Sequence, residues 1–165
     1  MIAIDLPGHG RTYNSDIQLD VEDFANAVRV VLAALNIDKM HVVGQHGGAL
    51  CAMSLMASES DRFEKAIFSG VDDGYDPVAK KALIERVKST DIEISSDSKI
   101  MSDTWARYMG MLSDGGKPKQ MLRPFIAFLD ARLRPARGIL TNLMWDRRDA
   151  VSKLRGPVLI IAGDK

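Results

Sequence analysis

Apolar residues recur along this chain in two modes, short continuous runs and longer stretches spaced by three and four. Ile2-Ala3-Ile4 is the first run, and the Pro and two Gly of Asp5-Leu6-Pro7-Gly8-His9-Gly10 end it, which predicts a strand and then a loop. Asp20 is a good N-cap, with Glu22 and Asp23 in the first turn, where the helix dipole favours carboxylates. Val21, Phe24, Val28, Val31, Leu32 and Leu35 then form one apolar stripe that stops at Asn36, so a helix packed along one face is expected. Met40 to Val43 is a second run, closed by Gly44, and Ala49 to Ala57 is apolar on nearly every side except at Ser54. These read as a buried strand followed by a buried helix. The charged stretch Glu59 to Lys65 leads into a third strand, Ala66 to Gly70.

Strands apolar on both faces, alternating with helices, predict an α/β fold: a parallel sheet flanked by helices on both sides. From Asp72 to Leu154 the apolar positions take helical spacing, which predicts an inserted helical unit. Its helices are expected over Val78 to Lys88, with Pro77 in the first turn, over Ser95 to Leu112, and over Met121 to Leu133. Gly115-Gly116-Lys117-Pro118 and Arg134-Pro135 separate them. Val158 to Ala162 returns to strand character. The chain thus divides into a core over 1–71, a helical cap over 72–150, and a return to the core over 151–165.

Composition narrows the function. The 165 residues suffice for one domain with a real core, and 22 basic side chains balance 22 acidic ones, so neither nucleic acid nor anionic lipid is an expected partner. No apolar stretch approaches the roughly 20 residues of a membrane span. One cysteine, Cys51, cannot form an internal disulfide, and the chain opens without the pattern of a secretory leader, which points to a cytoplasmic setting. Three histidines, no two of them four apart on a helix, give no metal signature, and neither metal nor organic cofactor is expected. The pattern encodes no oligomeric state.

Candidate chemistry concentrates in Val42-Val43-Gly44-Gln45-His46-Gly47-Gly48-Ala49, a strand passing into a helix through a glycine-bracketed turn. This is the form Gly-x-nucleophile-x-Gly, in which the middle residue projects above the sheet. Gly44 and Gly48 are expected to relieve backbone clashes, and the Gly47 amide to face a developing oxyanion. His46 stands at the tip. A histidine can be acylated and acyl-imidazoles hydrolyse readily, so nucleophile and water-activating base are both open to it, as are a ligand contact and a decayed site. Ser54 and Cys51 lie more than a turn along the following helix and cannot occupy the tip. His41 begins a strand and reads as a half-buried or surface histidine. Asp72 and Asp73 follow the third strand, where paired aspartates read as the start of a polar turn before Gly74. Trp105, Tyr108, Phe125, Phe128 and Trp145 are candidates for an apolar pocket wall, or for helix packing.

The loop Asp5 to Gly10, the Gly44 to Gly48 turn, Phe68-Ser69-Gly70, the helical insertion and Pro157-Val158-Leu159-Ile160-Ile161-Ala162-Gly163-Asp164-Lys165 together resemble the α/β-hydrolase superfamily, across the whole chain. The sequence is similar to the capped members, which include esterases, lactonases, epoxide hydrolases, dehalogenases and carbon–carbon bond hydrolases. The resemblance implies that the runs at Ile2, Met40, Ala66 and Val158 are the fourth to seventh strands and that His46 occupies the nucleophile position, usually Ser, Asp or Cys. It implies an acid just after Lys165, or else Asp72, with a general-base histidine later and an oxyanion loop before Met1, so that this chain is an internal fragment, inactive alone. The implied function is cofactor-independent hydrolysis of a small apolar ester, lactone or related substrate. A hydrolase-like protein that binds or senses a ligand without turning it over is the alternative, and cofactor-free oxygenation is a third reading.

Overall fold

The first helix, α1 (Val21–Ala34), starts as its sequence dictates. Asp20 and Asp23 form a reciprocal capping box, with Asp23 N donating to Asp20 Oδ1 at 2.8 Å and Asp20 N donating to Asp23 Oδ2 at 2.9 Å. Val21, Phe24, Ala25 and Leu32 are its buried face, and Asn36 ends it in the left-handed region with φ 52°. The computed structural model describes residues 1–13, 16–71, 76–89, 96, 98–110, 117–133 and 138–162.

Three strands, β1 (Met40–Gln45), β2 (Phe63–Ser69) and β3 (Val158–Ile161), form a parallel sheet in that order. Val42 pairs with Ala66 and Gly44 with Phe68, and Phe68 in turn pairs with Ile160. The helix α2 (Gly47–Ser58) follows β1 and lies against it and β2. Every residue from Ala49 to Met56 is buried, because α1 and a short helix, Arg148–Lys153, close around the sides that the sheet does not cover. Gly44 sets the distance: a Cβ there would sit 2.6 Å from Ala49 N and against Gly48 O, so only glycine lets the helix leave the strand this closely.

Two expectations are corrected. Ile2-Ala3-Ile4 is not a strand; a strand exists only through ladder bonds to a neighbour, and among the described residues β1 pairs with β2 alone. Among the described residues, helices do not cover both faces of the sheet either. The row Val43 and Leu159, on the face away from α2, stays 72% and 54% exposed. Continuous apolar character announces burial on both sides, but the described helices supply only one.

Between β2 and β3 every described element is helical: α3 (Pro77–Ser89), α4 (Lys99–Gly110), α5 (Pro118–Leu133), α6 (Gly138–Met144) and α7 (Arg148–Lys153). Helix α4 lies within the expected Ser95 to Leu112, whose two end residues lie outside the described residues. Asp76 caps α3, its Oδ1 accepting from Val78 N at 2.8 Å. Helix α6 rests on α2 and α3 and is tied down from the other side: buried Thr141 donates to Leu19 O at 2.6 Å and accepts from Gln18 Nε2 at 2.8 Å. No helix among the described residues is long and apolar enough to cross a membrane.

A polar network fastens α1 to α2. The buried Ser54 hydroxyl donates to Glu22 Oε2 at 2.6 Å, Arg29 bonds both Glu22 and Glu59, and Arg62 joins Glu59 to the carbonyl of Ile37. The Ser54 bond, aided by Arg29, holds the Glu22 carboxyl below its ordinary 4.5. Burial pushes Glu59 up, but Arg29 and Arg62 outweigh it and the net direction is down.

Phe68 is fully buried in the central strand, so Phe68→Ala should lower unfolding free energy by about 3–5 kcal/mol in urea titrations, whereas Val43→Thr on the open face should change it by no more than about 0.5 kcal/mol. Both glutamates bind protons less readily folded than unfolded. Their contribution is therefore present above pH 4.5 and lost as pH falls through their lowered folded values. Acid titration of stability should show that decline, and Arg29→Met should flatten it.

Candidate functional site

A single residue, His46, separates β1 from α2, and it carries the turn at φ 48° and ψ −117°, a backbone region side chains rarely adopt. Bonds on both sides hold it there. Its N–H donates to Ser69 O at 2.9 Å, and its carbonyl accepts from Ala49 N at 2.9 Å and Leu50 N at 3.2 Å. The imidazole is thereby fixed, exposed, at the carboxyl end of the strands, where open parallel sheets gather ligands.

Gly70, directly after β2, brings the ring against the main chain. Its φ is 66°, and a Cβ would fall 2.7 Å from His46 Cε1. With no side chain in the way, His46 Nδ1 reaches Gly70 O at 3.0 Å. A carbonyl only accepts, so Nδ1 carries the hydrogen, and the neutral ring keeps its lone pair on Nε2. The amides of Gly47 and Gly48 precede the first intrahelical bond, which Ala49 N makes, and so stand at the positive end of α2. The steric expectation for the glycines holds at Gly44 and fails at Gly48, where a Cβ meets nothing within 4 Å.

His46 opens onto a cleft of about 830 Å³. Leu50, Val71, Leu83, Ile139, Leu143 and Trp145 give it an apolar wall, and Lys80, Arg86, Asn142, Asp146, Arg147 and Arg148 a polar one. Arg148 Nε donates to Asp146 Oδ1 at 2.9 Å, and this pairing holds the Asp146 carboxyl well below the usual carboxylate range. Asn142 lies against Gly47, and its buried Oδ1 has no hydrogen-bond partner among the described residues.

Of the aromatic candidates, Trp145 lines the cleft. Trp105, Tyr108, Phe125 and Phe128 instead pack on one another between α4 and α5, with Trp105 and Phe125 centroids 4.8 Å apart edge to face, and are not among the cleft's lining residues. Asp72, like Asp73 and Asp164, lies outside the described residues. Gln45 is exposed at the end of β1, paired with Ser69. His9 shapes its loop, with Nδ1 3.1 Å from Pro7 O and its ring against Phe24 and Gly138. His41 is exposed and 3.4 Å from Glu64. Burial pushes the Cys51 thiol up to about 12, which leaves no thiolate for chemistry. Among the described residues no three His, Cys, Asp or Glu side chains converge as a metal site.

Sequence reading missed Lys80, Leu83, Arg86, Asn142 and Arg147. The first three recur at steps of three on α3 and so share a face, but that spacing does not say which face meets the cleft.

No protein-family model and no curated protein matches the chain. Solved structures do. An alpha/beta hydrolase enzyme from a Medee basin deep-sea metagenome library superposes with a TM-score of 0.64 at 15% identity, covering 94% of this chain and 58% of that one. The enol-lactonase from Burkholderia xenovorans LB400 gives 0.64 at 18% identity, covering 96% and 60%, and a thermophilic esterase from Thermogutta terrifontis gives 0.68 at 18%, covering 94% and 58%. The chain therefore spans about six-tenths of the length of these proteins. A parallel sheet in the order β1-β2-β3, a one-residue passage from strand to buried helix and these superpositions give the chain the α/β-hydrolase fold, of which it carries a partial core.

Proposed function

We propose that the protein is a cofactor-independent hydrolase of a small ester, lactone or related substrate, with Nε2 of His46 as the reacting atom. The Nδ1 contact to the Gly70 carbonyl carries this reading, since it leaves Nε2 as the lone-pair nitrogen of a ring that lines the cleft. The carbonyl does here what a carboxylate does for a triad histidine: it fixes the tautomer and the plane of the ring. Asp72 is not needed for that orientation.

In this mechanism Nε2 attacks the substrate carbonyl carbon, a C–N bond forms, and the carbonyl electron pair moves onto oxygen. The Gly47 amide, at the positive end of α2, would donate a hydrogen bond to that oxyanion. Collapse expels the alkoxide, which takes a proton from water. Nδ1 keeps its hydrogen on Gly70 O, so the acyl-imidazolium stays cationic and electrophilic. Water then adds to it, loses a proton to solvent, and collapse releases the acid and restores Nε2. The apolar wall around Leu50, Leu143 and Trp145 would hold the hydrocarbon body of the substrate. The lone buried cysteine suits a cytoplasmic site of action.

Turnover of p-nitrophenyl esters and small lactones by the intact protein tests the reading. His46→Ala should lower kcat by about 10²–10⁴ with the fold retained, and quenched reactions should show an acylated peptide containing His46 by mass spectrometry. Gly70→Ala should also lower kcat more than it raises KM, by pushing the ring off the carbonyl. Equal rates for the parent and His46→Ala contradict the proposal; a ligand bound and recovered unchanged supports a sensor instead.

A further inference from the structure

Attack by His46 puts negative charge on one atom, the former carbonyl oxygen of the substrate, and the Gly47 amide supplies one donor to it. In a partly apolar cleft an oxyanion with a single donor is costly, so a second donor near Gly47 would lower the barrier. Asn142, on α6, stands there. A Cβ built on Gly47 would fall 2.8 Å from both Oδ1 and Nδ2 of Asn142, so the carboxamide occupies the space that the absent side chain leaves open. His46, the residue before Gly47, lines the same cleft as Asn142. The carboxamide is also anchored: its neighbour Thr141 is buried and donates to Leu19 O at 2.6 Å, which ties α6 to the segment leading into α1. The two ends of the amide differ. Oδ1 is shut away from solvent and has no hydrogen-bond partner among the described residues. A buried acceptor in that state calls for an explanation, and the positive end of α2, with the Gly47 and Gly48 amides ahead of the first intrahelical bond, favours an oxygen turned inward. What the carboxamide then offers the cleft is Nδ2, a donor with two hydrogens.

We propose that Asn142 is a catalytic residue: as Nε2 of His46 adds to the substrate carbonyl, Asn142 Nδ2 donates a second hydrogen bond to the oxyanion that the Gly47 amide also holds. This assignment rests on the hydrolase reading. No proton moves in the step. The C–N bond forms, the carbonyl electron pair goes onto oxygen, the two donors hold that oxygen, and both hydrogen bonds slacken when the C=O bond re-forms and the alkoxide leaves. An amide suits the role because it donates at every pH and does not compete with the imidazole for protons.

Paired substrates test the role on the intact protein: p-nitrophenyl butyrate, and the thionoester in which sulfur, a weak acceptor, replaces its carbonyl oxygen. Loss of a donor to the oxyanion slows the oxygen ester and spares the thionoester, whereas a displaced His46 slows both alike. Asn142→Leu should lower kcat for the oxygen ester by about 10²–10³ with KM changed far less, and the thionoester rate by less than about tenfold, while His46 keeps its hydrogen on Nδ1. Gly47→Ala keeps the backbone N–H, but its Cβ would push the carboxamide aside, so it should produce the same selective loss and serves if Asn142→Leu does not fold. Parental rates on the oxygen ester, or equal losses on both substrates, overturn the role of Asn142 while acylation of His46 still stands. A parent protein that forms no acyl-His46 overturns the hydrolase reading, and this assignment with it.

Discussion

The close approach of α2 to β1 is the constraint from which the rest of the structure follows. Gly44 has no room for a Cβ beneath Ala49, and the chain must reverse from strand to helix in one residue. His46 absorbs that reversal at a positive φ, which costs a non-glycine residue of order 1–3 kcal/mol. The cost is offset by the bond to Ser69 O from β2, by the first turn of α2, and by the burial of every residue of that helix from Ala49 to Met56. A sheet of parallel strands against a helix buried from Ala49 to Met56 thus fixes one side chain above the strand ends.

What orients that side chain is the next strand. Parallel pairing of Gln45 with Ser69 brings Gly70 alongside His46, and the left-handed glycine turns its carbonyl to Nδ1 while leaving space for the ring. Among the described residues, orientation of the imidazole therefore comes from the backbone at the end of β2. The cleft is completed from elements remote in sequence. Helix α6 brings Asn142 and Leu143, held in place by Thr141 and its bonds to Gln18 and Leu19, and α3 brings Lys80 and Leu83. Positions that look like surface helix residues thus become walls of one cavity.

Local signals in the sequence were legible where the physics is local. The Asp20 cap, the apolar stripe at Val21, Phe24 and Leu32 and the stop at Asn36 all depend on neighbours within a few residues, and each appears where the pattern places it, whereas Leu35 at the end of the stripe is exposed. Ile2-Ala3-Ile4 has the composition of a strand but no ladder partner among the described residues, and partnership is a nonlocal property. Trp105, Tyr108, Phe125 and Phe128 have the spacing of a helix face, which is the same whether that face meets a ligand or, as here, another helix. Gly70 was visible as the end of a strand, yet its pressure on His46 exists only through the register of β1 and β2. Lys80, Asn142 and Arg147 come together from three segments, and no local pattern announces such a set.

The account stands or falls on the orientation of the His46 ring. The direct measurement is ¹⁵N NMR of the imidazole nitrogens of the intact protein at a pH where imidazole is neutral, with His46 assigned by the signals lost in His46→Gln. A protonated Nδ1 and a bare Nε2 are predicted, since Nδ1 donates to Gly70 O. A hydrogen on Nε2 and a bare Nδ1 would contradict the account, because the lone pair would then face the main chain and not the cleft.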